Sequence, residues 1–332
     1  MVFKRLLGSL GVGGPTVDTV LDPGPVMPGG TLSGEVRLKG GKADFTVDAI
    51  TLELVARVEA EHDGGESQGV VAFERYGVGG GFRLAAEEER SVPFTVTVPW
   101  ETPVTELHGQ PLGIGLGVRT ELAVASAKDK GDLDPLAVRA LPAQEAVLEA
   151  FGQLGFGFVS ADLEYGHIGG TGQRLPFYQE IELSPAPRYA HAVDEIEVTF
   201  LAHAGGMEVV LEADRRGGLL SGGRDALNRF TVTHEAVGRT DWNAEVEGWV
   251  RSLVDSGAAA QKGAYGHGHG HDAHHGHGHG HGHGHSGRGP GVGTVVAAGA
   301  AGLAAGAVGG YLAAEAVDEI GDFFEGDEDD EA

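Results

Sequence analysis

Apolar and polar residues alternate with a period of two through most of the first 124 positions. In "TLSGEVRLKGG" the residues Leu32, Val36 and Leu38 share a face, with Glu35, Arg37 and Lys39 opposite. "DAITLELVARVEAE" directs Ile50, Leu52, Leu54, Ala56 and Val58 one way. Phe94, Val96, Val98 and Trp100 form a third such row, and Ile114, Leu116, Val118, Leu122 and Val124 a fourth. Short alternating runs split by turns predict an antiparallel sandwich with one solvated face. "MPGGT" (Met27–Thr31) is one such turn, since Pro presets φ and Gly accepts a positive φ.

The pattern changes at "DKGDLDPLAVRALPAQEAVLEAFGQLG", where Asp134-Pro135 and Leu141-Pro142 predict an extended linker and "AQEAVLEAF" two helical turns. A second alternating block follows: Ile181 and Leu183; Val193, Ile196, Val198 and Phe200; Met207, Val209, Leu211 and Ala213; Phe230 and Val232. "ADRRGGLL" predicts a hairpin end bearing Arg215 and Arg216. In "DWNAEVEGWVRSLVDS", Asp241 is placed to cap a helix, with Trp242, Val246, Trp249, Val250 and Leu253 at helical spacing. The expected division is 1–130, a first β-sandwich; 131–150, a linker; 151–256, a second sandwich with its terminal helix; 257–290, a His/Gly tract; 291–314, a Gly/Ala-rich apolar segment; and 315–332, an acidic tail.

Composition narrows the chemistry. The chain has 332 residues and no cysteine, which removes disulfides, thiolate zinc sites and cysteine nucleophiles. Its formal net charge of -26 sets it against phosphate backbones, so nucleic acid is not an expected partner. The N-terminal "MVFKRLLGSLGVGG" lacks the apolar run of a secretory signal and suits a short amphipathic helix in a cytoplasmic protein. Six histidines, His62, His108, His167, His191, His203 and His234, are scattered outside metal-ligand spacing. "GVGGGF" and "GFGFVS" open no helix after a strand, and no Gly-x-Ser-x-Gly elbow occurs. Neither a catalytic residue nor a required cofactor is expected.

The other ten histidines are His267, His269, His271, His274, His275, His277, His279, His281, His283 and His285. Imidazoles on a Gly-rich backbone can close in twos to fours around Ni²⁺, Zn²⁺ or Cu²⁺, giving several labile sites. Below neutrality they would also gain charge and attract the acidic end of the chain. From Gly289 to Ala314 no residue is charged, and Gly302, Gly306 and Gly310 are four apart. Self-association through a glycine zipper or peripheral membrane contact are the favoured roles for 291–314, with a plain linker the third. Ten acids and no base lie between Glu315 and the end.

The opening "VDTVLDPGPVMPGGTLSGEVRLKGGKADFTVDAITLELVARVE", together with "LPFYQEIELSPAPRY" and "VDEIEVTFLAHAGGMEVVLEADRRGG", resembles the bacterial sporulation-control proteins of the stage-zero M family. "FKRLLGSLGVGG" agrees as well, and the resemblance covers about residues 1–255. It implies an all-β, arrestin-like pair of antiparallel sandwiches joined by a linker, and a non-catalytic adaptor of developmental control that binds protein partners. By analogy with an arrestin polar core, Arg215 or Arg216 would sit against Asp residues and set the interdomain angle; the plainer expectation is an exposed hairpin tip. A metal buffer or metallochaperone acting through the His tract is the alternative.

Overall fold

A computed structural model describes residues 13–62, 65–125, 130–214 and 226–265. The first unit contains β1 (Thr16–Leu21), β2 (Thr31–Lys39), β3 (Phe45–His62), β4 (Gly65–Gly79), β5 (Phe82–Leu84), β6 (Glu89–Thr97), β7 (Glu106–Leu107), β8 (Gln110–Pro111), β9 (Leu116–Val124) and β10 (Lys130–Pro135). One layer runs β1-β2-β6; the other runs β10-β9-β3, with β4 and β5 also paired to β3. The alternation explains the packing. Leu32, Val36 and Leu38 from β2 meet Ile50, Leu52 and Leu54 from β3 and Val118 and Leu122 from β9 in a single apolar cluster. Each such side chain, taken out of water, contributes about 1.5–3 kcal/mol.

The two layers are clasped at their edge. The Asp132 carboxylate accepts a hydrogen bond of 2.6 Å from the Thr19 N–H. Beside it the Thr19 and Thr120 hydroxyls are also 2.6 Å apart. Burial, and the nearby Asp18, push the Asp132 carboxyl above its ordinary range, while its hydrogen bonds pull the other way.

The expected linker, 131–150, is not a free connection. Its start is β10, an edge strand paired with β9 from Lys130↔Leu122 to Pro135↔Gly117. Its end is α1 (Pro142–Gln153), a twelve-residue helix, longer than the two turns expected. Pro at the first turn and the Gln144 side chain, which accepts from the Leu141 N–H at 2.8 Å, fix where the helix begins. Val147, Ala150 and Phe151 then bury in the second unit's core.

That unit is a five-stranded antiparallel meander: β11 (Gly157–Tyr165), β12 (Phe177–Ser184), β13 (Glu195–His203), β14 (Gly206–Asp214) and β15 (Ala226–Thr233), followed by α2 (Trp242–Tyr265). Its sandwich-like second layer is helical among the described residues. Ile181, Leu183, Ile196, Val198, Met207 and Leu211 pack against Val147 and Phe151 of α1 and Val246, Val250 and Leu253 of α2. Trp249 stacks on Phe230 of β15 with ring centroids 4.8 Å apart. Asp241 does cap α2, its carboxylate accepting from the Ala244 N–H at 3.2 Å.

β11 also touches β3, through a single parallel bridge between Glu164 and Glu59, so the two units share one ten-stranded sheet.

Candidate functional site

The seam between the units is built from side chains reaching across. Trp100, just after β6, stacks on His234 with centroids 5.3 Å apart. The His234 ring nitrogen Nε2 lies 2.8 Å from the His203 carbonyl. Beneath Trp100 lies Gly29, at φ +70°, where an added Cβ would come within 2.4 Å of the indole. The turn read from "MPGGT" therefore needs glycine twice over, for its backbone and for the ring above it. The Glu101 carboxylate accepts from the Arg174 and Leu175 N–H groups at 2.7 and 2.9 Å. The Gln179 amide meets Val104 in both directions: its Oε1 accepts from the Val104 N–H and its Nε2 donates to the Val104 carbonyl, each at 2.9 Å. Phe73 and Phe177 close the seam edge to face, 5.5 Å apart.

The second chemically distinct surface is the face of the meander opposite α1 and α2. Strand alternation that sends Ile181, Ile196 and Met207 inward sends acids outward: Asp162 and Glu164 on β11, Glu180 and Glu182 on β12, Glu195 and Glu197 on β13, and Glu208 and Glu212 on β14. Several stand directly opposite one another, as in Asp162↔Glu180, Glu182↔Glu197 and Glu197↔Glu212. Like charges in cross-strand register are destabilising. Arg229 of β15 supplies an opposing charge, with Nε 3.6 Å from the Glu208 carboxylate. The Ser160 hydroxyl is hydrogen-bonded to Glu182.

Glu180 registers the field of this face. Burial, with Glu197, Asp162, Glu164 and Glu212 around it, raises its pKa to about 9. Burial, with Glu180, Glu164, Glu212 and Glu197 around it, pushes the neighbouring Tyr178 phenol upward. Asp162, Glu164 and Glu180 each offer an oxygen within 4.8 Å of the others, a hard-oxygen grouping of the kind that suits Ca²⁺ or Mg²⁺. It contains no histidine.

The predicted site residues fall elsewhere. Arg215 and Arg216 lie outside the described residues, as do His267, His269, His271, His274, His275, His277, His279, His281, His283 and His285, the segment 291–314 and the acidic tail. Of the scattered histidines, His108 occupies the tight β7–β8 turn at φ 51°, and His234 is the seam residue above. "GVGGGF" is the break between β4 and β5, which follow one another along β3, with Gly80 at φ 137° and Gly81 at φ 71°, and it opens no helix. The acidic face was missed, although its signal is present in the sequence. "YQEIELS", "DEIEVTF" and "MEVVLEA" each place two carboxylates at alternating outward positions of three consecutive strands. No helix among the described residues is long and apolar enough to cross a membrane.

Comparison with known proteins settles the family. The sporulation-control protein Spo0M of Bacillus subtilis is 37% identical over 221 residues, covering 66% of this chain and 83% of its own. The crystal structure of Bacillus subtilis Spo0M superposes with a TM-score of 0.63 at 30% identity, over 74% of this chain and 99% of that one. Squid arrestin is a remote likeness, 12% identical with a TM-score of 0.22 over 65% of this chain and 76% of its own, and adds nothing to the functional reading. Residues 3–217 match the family described as SpoOM protein, and the chain belongs to that family.

Proposed function

We propose that the chain is a non-enzymatic regulator of sporulation or a related developmental programme, acting in the cytoplasm as an adaptor. Family membership over residues 3–217 carries this reading, because the curated relative it matches is a sporulation-control protein. Protein partners are gripped by the loops and strand edges of the two units, where main-chain groups are available to an added strand. The ten histidines between His267 and His285 bind Ni²⁺, Zn²⁺ or Cu²⁺ labilely, and the stretch 291–314 supports self-association or peripheral membrane contact.

A second reading is favoured by that density of imidazole: a metal buffer in which the folded units are the carrier. A strain lacking its own copy separates the two when given the full chain or a chain ending at Tyr265. Restored sporulation by both forms supports the adaptor. If the short form restores nothing, and only metal tolerance tracks the presence of the tract, the buffer reading replaces it.

A further inference from the structure

We propose that the β11–β12 connection, residues 166–176, is a latched strap over the outer face of the meander. It is held shut from the first unit, so parting of the seam bares the apolar positions beneath it.

The burial on that face calls for a cover. Strand alternation turns Thr199, Leu201 and Val210 to the side of Glu197, Glu208 and Glu212, away from α1 and α2. Yet they are only 3%, 5% and 2% exposed. They stand together, with Thr199 opposite Val210 and Leu201 opposite Glu208. Among the described residues, the segment that reaches over them is 166–176. Its first residue passes above Tyr178, whose ring an added Cβ at Gly166 would meet at 3.7 Å. Its middle arrives at β15, three strands from β12, a crossing of about 14 Å at the usual strand spacing. There the Gly170 carbonyl accepts a hydrogen bond from Arg229. Arg229 is the residue directly opposite Val210, and its Nε is 3.6 Å from Glu208.

The strap keeps its own shape. The Gln173 amide donates to the Gly166 and Leu175 carbonyls at 2.7 and 2.8 Å and accepts from the Ile168 N–H at 2.9 Å. The Thr171 hydroxyl donates to the Ile168 carbonyl at 2.7 Å. A segment so tied to itself moves as one piece, and its anchors decide when. Arg229 is the far anchor. The near anchor belongs to the first unit, where one Glu101 oxygen takes both the Arg174 and Leu175 N–H groups. Leu175 itself is buried in the first unit's apolar cluster. Hydrogen bonds to a carboxylate are the stronger kind, so this anchor dominates. Drawing the units apart therefore frees the strap before it unfolds the meander, whose core α1 and α2 complete.

The test uses the full chain, which has no cysteine. Val210→Cys, or Thr199→Cys should the first fold poorly, places a single thiol beneath the strap; Val209→Cys places one on the core side of the same strand. The rate of reaction with a small aromatic disulfide reads how often each thiol is uncovered. The thiol at position 210 should react slowly, and Glu101→Ala should speed it by about tenfold, since two charge-assisted bonds are lost. The thiol at position 209 should stay slow with or without Glu101→Ala. The proposal is overturned if the thiol at position 210 reacts at once with Glu101 in place, or if Glu101→Ala leaves its rate unchanged. It is overturned equally if the thiol at position 209 accelerates as much, because the whole unit has then loosened.

Discussion

At the scale of single residues, Glu180 sits in an environment far from that of a free side chain. Its folded pKa of about 9 exceeds the ordinary carboxyl value of 4.5, so the folded state binds the proton more tightly than the unfolded chain. Below pH 4.5 both states are protonated and nothing is lost. As pH rises from there toward 9 the folded state pays progressively for ionising this carboxyl. Glu180→Gln should therefore raise stability at pH 8 by about 1–3 kcal/mol, with the advantage vanishing near pH 4, as thermal melts across pH would show. Gly29 is the opposite kind of residue. Gly29→Ala meets both a positive φ and the Trp100 ring. It should cost about 2–3 kcal/mol in denaturant titration, beyond the usual Gly-to-Ala strain.

At the scale of elements, β3 is organised by charge as well as by apolar alternation. Glu53, 7% exposed, accepts from Arg119 Nε of β9 at 2.8 Å, and Arg75 Nη1 of β4 stands 3.3 Å from it. Arg119→Met removes the partner that lies closest to this buried carboxylate and should destabilise by about 2–4 kcal/mol. Replacing Glu53 and Arg119 together by Leu and Met should cost clearly less, since no charge is then stranded; paired denaturation curves decide this. The strands of the first core were legible from sequence because β2, β3, β6 and β9 each keep an apolar row at every second position, even though β3 also buries Glu53 and Val55 on its other face. β4 and β11 were not singled out. β4 alternates between exposed and half-buried positions, and β11 holds Phe158 and Val159 adjacent and 52% exposed at a bulge that breaks the period. The linker was misjudged for a related reason. "KGDLDP" carries two acids and a proline, poor strand residues, and pairs only because it lies at an edge, where one side of the backbone remains free.

At the scale of the whole molecule, the seam makes two cores behave as one body. Glu101 and Gln179 hold main-chain groups of the opposite unit that water would otherwise have to satisfy. Glu101→Ala/Gln179→Ala should split a single calorimetric transition into two, with the second unit keeping its own melting because α1 and α2 complete its core. The candidate site was least legible at this scale. Outward acids on one strand read as ordinary solvent-facing residues, and only the pairing of β11 through β14 stacks them into a common field.

The bridge between Glu59 and Glu164 joins residues 105 positions apart. Contacts of such separation are slow to find, since the intervening loop must first be closed. When β3 leaves the ribosome, β4 follows within three residues and can pair at once, whereas β11 is still unmade. The first sandwich can therefore finish with the end of β3 waiting. Landing of β11 on that end is a late step in folding, and the joined sheet records the order in which the chain was synthesised.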